Sequence, residues 1–110
     1  MIFYKLNSNL NLPEIISFTA NKGTNYGVGC YYYVKGRRVR INISLNMGAA
    51  ISSSVGIYTM PESLRPNLTT NVICSGGSMA FNASIQVDNS GLIRVATEGT
   101  YVIGYVEYDV

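Results

Sequence analysis

The stretch Tyr31–Leu45, YYYVKGRRVRINISL, reads as two strands joined through a Lys35-Gly36-Arg37 turn. Tyr32 and Val34 share one face before the turn, and Val39, Ile41, Ile43 and Leu45 share one face after it, the period-two pattern of half-buried strands. Glycine at the turn supplies the backbone conformation that a tight hairpin needs. The opposite face carries Tyr31, Tyr33, Arg38, Arg40 and Asn42. The hairpin therefore offers an apolar side to a core and an aromatic, hydrogen-bonding side to something else.

The same alternation recurs along the chain, and no segment repeats apolar residues at helical spacing over ten or more positions. About eight strands are expected, over 14–19, 28–34, 38–45, 54–59, 70–75, 79–87, 92–97 and 100–108, separated by turn signals at sandwich-like spacing. A second hairpin is explicit in ASIQVDNSGLIRV, where Asp88-Asn89-Ser90-Gly91 supplies turn residues between Ile85 and Val87 on one side and Leu92 or Ile93 on the other. The small-residue segments 48–54 and 76–78 read as loops. In IYTMPESLRP, Ile57–Pro66, Pro61 lacks a ladder donor and Pro66 drives Arg65 into an extended conformation, so this segment reads as a fixed loop. The fold class is all-β, an antiparallel β-sandwich occupying residues 13–110, with residues 1–12 a weakly patterned N-terminal segment or linker.

At 110 residues the chain is one domain, able to bury roughly two thirds of its unfolded surface. Only 13% of residues are charged, about half the usual share, and the surface falls to Asn, Ser, Thr, Gly and Tyr. Such a surface suits uncharged partners such as sugars, or burial against copies of itself, since neither desolvates charge. A net charge of +2 gives no nucleic-acid footprint, and the cluster Lys35, Arg37, Arg38 and Arg40 reads as a solvated hairpin tip. The opening MIFYKLNSNLNLP shows no secretory signal pattern, and no window approaches the roughly 18 apolar residues of a membrane span. Cys30 and Cys74 lie in apolar runs and are expected to be free thiols.

The chain has no histidine, which removes the commonest general base and metal ligand, so neither a metal nor another cofactor is expected. Ser52-Ser53-Ser54 has neither a nucleophile elbow nor an activating base. Glu107 and Asp109 fall on one face of the last strand and read as solvated edge charges rather than a glycosidase pair. No catalytic residue is assigned.

Nine tyrosines remain, and tyrosine is favoured in binding surfaces because it offers area and a hydroxyl at low entropic cost. Tyr31, Tyr33, Arg38, Arg40 and Asn42, with Arg65 from the proline element, are the candidate ligand-binding residues. The last strand, TYVIGYVEYDV, has Tyr101, Ile103, Tyr105 and Glu107 on one side and Val102, Gly104, Val106 and Tyr108 on the other. Both sides are largely apolar, which predicts cover on both. A partner subunit about a three-fold axis is the simplest second cover, with Tyr101, Ile103 and Tyr105 at the seam.

Residues 27–110 resemble the C-terminal head domains of phage tail fibres and baseplate receptor-binding proteins of phages that infect Gram-positive bacteria. The resemblance is carried by the Tyr-rich strand with its Lys-Gly turn, the Met-Pro-x-x-Leu-Arg-Pro element at 60–66, the Ile85–Val95 hairpin and the Gly-Tyr terminal strand. It implies a jelly-roll-like sandwich assembled as a homotrimer in a virion tail, with host-surface saccharide as the ligand class and no binding-residue motif to carry over. Two alternatives stand beside it: a trimerising cap that closes a fibre without touching a receptor, and a bacterial surface or secreted binding module.

Overall fold

The computed structural model describes residues 12–110, so the N-terminal segment assigned to 1–12 lies, but for Leu12, outside the described residues. Nine strands follow in chain order: β1 Ile16–Phe18, β2 Thr24–Asn25, β3 Cys30–Lys35, β4 Arg38–Asn46, β5 Ile51–Thr59, β6 Thr70–Ser75, β7 Asn82–Val87, β8 Leu92–Thr97 and β9 Tyr101–Asp109. A single 3-10 turn, Glu62–Leu64, is the helical content of this part of the chain. The strands form one antiparallel sheet in the order β1-β3-β4-β9-β6-β7-β8-β5, with β2 adding to the end of β4.

Its spine is the pairing of β4 with β9, continuous from Arg38↔Asp109 to Asn46↔Tyr101. On the other flank of β9 the ladder shrinks to a single bridge, Ser75↔Ile103. From that joint the sheet bends, and β9 also packs across onto β7 and β8. Gly104 permits the bend, because a Cβ there would overlap the Cβ of Cys74 on β6. The result is a curled half-barrel whose edges touch in one place. Phe18 of β1 stacks on Tyr58 of β5 with ring centroids 4.2 Å apart, and the Asn21 N–H donates to the Ile57 carbonyl at 2.7 Å. Elsewhere β5 pairs irregularly with β8, its register slipping between Ile51 and Val55 and again between Gly56 and Tyr58.

The core lies inside the curl. Val39, Ile41, Ile43, Leu45, Val102 and Val106 from one half meet Ile57, Met60, Ile85, Val87, Ile93 and Val95 from the other, all fully buried. The alternation read from the sequence therefore places the inward positions of β4, β7, β8 and β9 in the core, while Ile16 of β1 and Ile73 of β6 are exposed. Both hairpins have their expected turns: Lys35↔Arg38 closes around Gly36 at φ +63°, and Asp88 closes the β7–β8 turn. There the Asp88 carboxylate accepts from the Ser90 N–H at 3.0 Å, the Leu92 N–H at 3.1 Å and the Ser90 hydroxyl. These bonds, the hydroxyl first, hold the carboxyl below the usual aspartate range.

The proline element is the expected fixed loop. The Leu64 carbonyl accepts from the buried Tyr108 hydroxyl, and the Arg65 Nε–H donates to the Met60 carbonyl at 3.1 Å. Burial pushes the Tyr108 hydroxyl far above the ordinary tyrosine range.

Several boundaries differ from the sequence reading. β5 begins at Ile51, so 51–53 belong to an edge strand rather than a loop, and their serines are exposed. Residues 79–81 form a turn rather than the start of β7, since the Phe81 N–H donates back to the Ser78 carbonyl and Met79 points fully into solvent. Val28 precedes β3 and is exposed. β9 lies between β4 and β6 rather than at an edge, so Asp109 is no edge guard; it accepts from Arg38 at 2.7 Å. Cys30 and Cys74 are free, with Cys30 buried and the Cys74 thiol pushed up to about 11 by desolvation.

Candidate functional site

Five of the six residues singled out for ligand contact share the outer face of β3, β4 and β9. The register sets Tyr31 beside Asn42 and Tyr105, Tyr33 beside Arg40 and Glu107, and Lys35 beside Arg38 and Asp109. Residues opposite each other in neighbouring antiparallel strands point to the same face, so this row of aromatic and charged side chains follows directly from the pairing.

Arg65 does not join them. Its side chain lies against Gly91 in the β7–β8 turn, where any Cβ would overlap its Nε at 2.7 Å, and it donates to Met60. Pro61 and Pro66 make the loop rigid, but only the packing decides which part of the sheet that loop covers.

The remaining residues divide by what they already touch. Asn42 Nδ2 donates to the Gly29 carbonyl at 3.3 Å, which holds the β2–β3 loop over this end of the face. Ser44, one pair further along, is buried there and its hydroxyl donates to the Tyr26 carbonyl. The same loop brings Tyr26 onto Tyr101, ring centroids 4.9 Å apart, so one predicted seam residue is already half covered from within the chain. At the opposite end the exposed Arg38 is paired to Asp109, which raises its already high pKa.

Between these two occupied ends the face is open. The Arg40 guanidinium carbon lies over the Tyr105 ring, 3.8 Å from its centroid, a cation–π contact, while Tyr105 itself is 47% exposed. Arg40 has no carboxylate within ion-pair distance among the described residues, although Glu107 is its register partner. Its Nε is buried and has no hydrogen-bond acceptor among those residues. Tyr31 and Tyr33 flank it, both half-buried. Ile103, also half-buried, continues the face toward the β6 joint.

Among the described residues, no group of three or more His, Cys, Asp or Glu side chains is placed to hold a metal ion. The carboxylates are scattered, with Asp88 engaged in its turn, Asp109 on Arg38 and Glu98 on the Asn82 N–H at 2.8 Å. No helix among these residues is long and apolar enough to cross a membrane. Comparison of the chain with family models, curated proteins and solved structures gave no match.

Proposed function

We propose that this chain is a non-catalytic assembly and binding module, the head domain of a phage or prophage tail protein, which forms a homotrimer and takes an uncharged saccharide of a host surface. On this reading the curled sheet is a jelly-roll-like sandwich in outline, its two halves packed across one core. The open middle of the β3–β4–β9 face, with Ile103, is the subunit seam.

The observation that carries the reading is Arg40 on Tyr105. A buried donor without an acceptor costs about 1–3 kcal/mol, and native structures leave few of them. A neighbouring subunit seated on Tyr105 would bring an acceptor to Arg40 and cover a half-exposed aromatic ring at once. Aromatic residues and arginine are the types enriched at the centres of such interfaces. The internal use of Asn42 and Arg38 favours assembly over sugar contact on this face, because it leaves a polyhydroxylated ligand few free hydrogen-bonding groups there.

Two substitutions on adjacent positions of β9 test this. Tyr105→Asp places a charge on the outer face and is expected to leave a folded chain of lower solution mass in sedimentation, whereas Val106→Asp, on the fully buried side, is expected to unfold it. A Tyr105→Asp chain with the mass of the parent would remove the seam.

A further inference from the structure

The opposite flank of the sheet has a different relief. Two adjoining hollows of ≈430 and ≈380 Å³ open on the outer face of β5, β6, β7 and β8 and on the neighbouring turns, sharing Ala50 and Glu98 between them. Each falls in the size range of small-molecule sites, roughly 300–1,000 Å³.

The walls are fixed by backbone. The Gly76 N–H donates to the Phe81 carbonyl at 3.0 Å, the Gly76 carbonyl accepts from the Tyr101 N–H at 3.2 Å, and a Cβ on Gly99 would collide with that same carbonyl. The two turns can therefore close on each other only with glycine at that contact. They leave the Phe81 ring standing at the rim, 46% exposed, with Tyr101 beside it.

Glu98 stands where the hollows join. Its Oε1 accepts from the Asn82 N–H at 2.8 Å, which orients the carboxylate, and its second oxygen has no partner among the described residues. The side chains of Asn82, Ser84 and Ser52 line the larger hollow and likewise make no hydrogen bond within the described part of the chain. Among the described residues, no lysine or arginine lines either hollow. With Glu98 as the one charge, the groove repels anions and offers acceptors to hydroxyl donors.

We infer that this groove, rather than the β3–β4–β9 face, is where the molecule takes its ligand. The ligand class is a neutral, hydroxyl-rich ring compound, one or two pyranose units, with hydroxyls donating to Glu98 and the C–H face of a ring lying on Phe81. The inference rests on the saccharide half of the function proposed above and assigns it a place separate from the seam, with Tyr101 at the border of the two.

The test is saturation-transfer NMR on the whole chain with methyl α-glucopyranoside, methyl β-galactopyranoside and N-acetylglucosamine as neutral probes, and glucose 6-phosphate and N-acetylneuraminic acid as anionic ones. At least one neutral probe is expected to bind, and Glu98→Gln, which keeps an acceptor for Asn82, is expected to weaken it about tenfold, the loss of roughly one charge-assisted hydrogen bond. Ser84→Tyr, which fills the larger hollow from an outward position, is expected to abolish it, and Leu68→Ala, on an exposed loop, to leave it unchanged. Neutral binding that survives both groove variants overturns the site while the saccharide reading stands. Preference for the anionic probes overturns the ligand class. Binding of no probe overturns the inference together with the saccharide half of the reading, and the assembly half is judged separately by solution mass.

Discussion

The two outer faces of this sheet are built on the same alternating inner pattern and carry opposite chemistry. Outside β3, β4 and β9 stand Tyr31, Tyr33, Arg38, Arg40, Tyr105, Glu107 and Asp109; outside β6, β7 and β8 stand Asn71, Ile73, Ser84, Gln86, Arg94 and Ala96. Large planar groups lean on one another, as Arg40 does on Tyr105, and fill their face. On the second face the small side chains of Ser52, Ser84 and Ala96 cannot meet across the roughly 4.7–4.9 Å between strands and leave a hollow. Inner positions answer to the core in both halves; outer positions are where the halves differ.

That contrast breaks first if the halves do not share one core. Ile41→Ala beneath the aromatic face and Ile85→Ala beneath the hollows are each expected to cost about 2–5 kcal/mol in urea unfolding, within a single transition followed by both tyrosine fluorescence and circular dichroism. Two separate transitions would mean two independently folding halves. The joint between them is probed by Gly104→Val, whose added Cβ overlaps Cys74 and is expected to cost about 1–3 kcal/mol by overpacking. A neutral result would show that β9 and β6 are not in close contact.

A smaller effect is expected where the proline loop is tied to β9. Tyr108→Phe removes the hydroxyl donated to Leu64 and is expected to cost about 1 kcal/mol. The smallest belongs to the β7–β8 turn. Asp88 has a lowered pKa in the folded chain, so its contribution is present above the ordinary aspartate pKa near 3.9 and is lost as pH falls through the lower folded value. An Asp88→Asn chain is therefore expected to show a shallower loss of stability than the parent below about pH 4 in acid titration.

Much of this architecture is legible in the chain itself. Period-two alternation locates eight of the nine strands, because a sheet with one buried face imposes that period on its sequence. Turn chemistry locates both hairpins, since Gly36 and Asp88 act within a few residues of where they stand. β2 escapes such reading, because Thr24 and Asn25 become a strand only when their loop docks against β4 through Tyr26 and Ser44. Met79 and Phe81 mimic a strand while their backbone turns back on Ser78.

The candidate site divides in the same way. Tyr31, Tyr33, Arg40 and Asn42 follow from parity along one hairpin, and the structure adds Tyr105 beneath Arg40 by setting β9 against β4. That Asn42 is occupied by Gly29, and that Arg65 sits on the far turn, depend on loop docking that no local pattern encodes. The groove is harder still to foresee, because Phe81, Asn82 and Glu98 become neighbours only through the closure of two turns over Gly76 and Gly99.

The proposed seam requires the open middle of the aromatic face to be covered by further copies of this chain. Light scattering of the purified chain measures that directly. A solution mass of three times the 12.0 kDa chain is expected, unchanged on dilution through the micromolar range. A mass of 12.0 kDa at every concentration would contradict it.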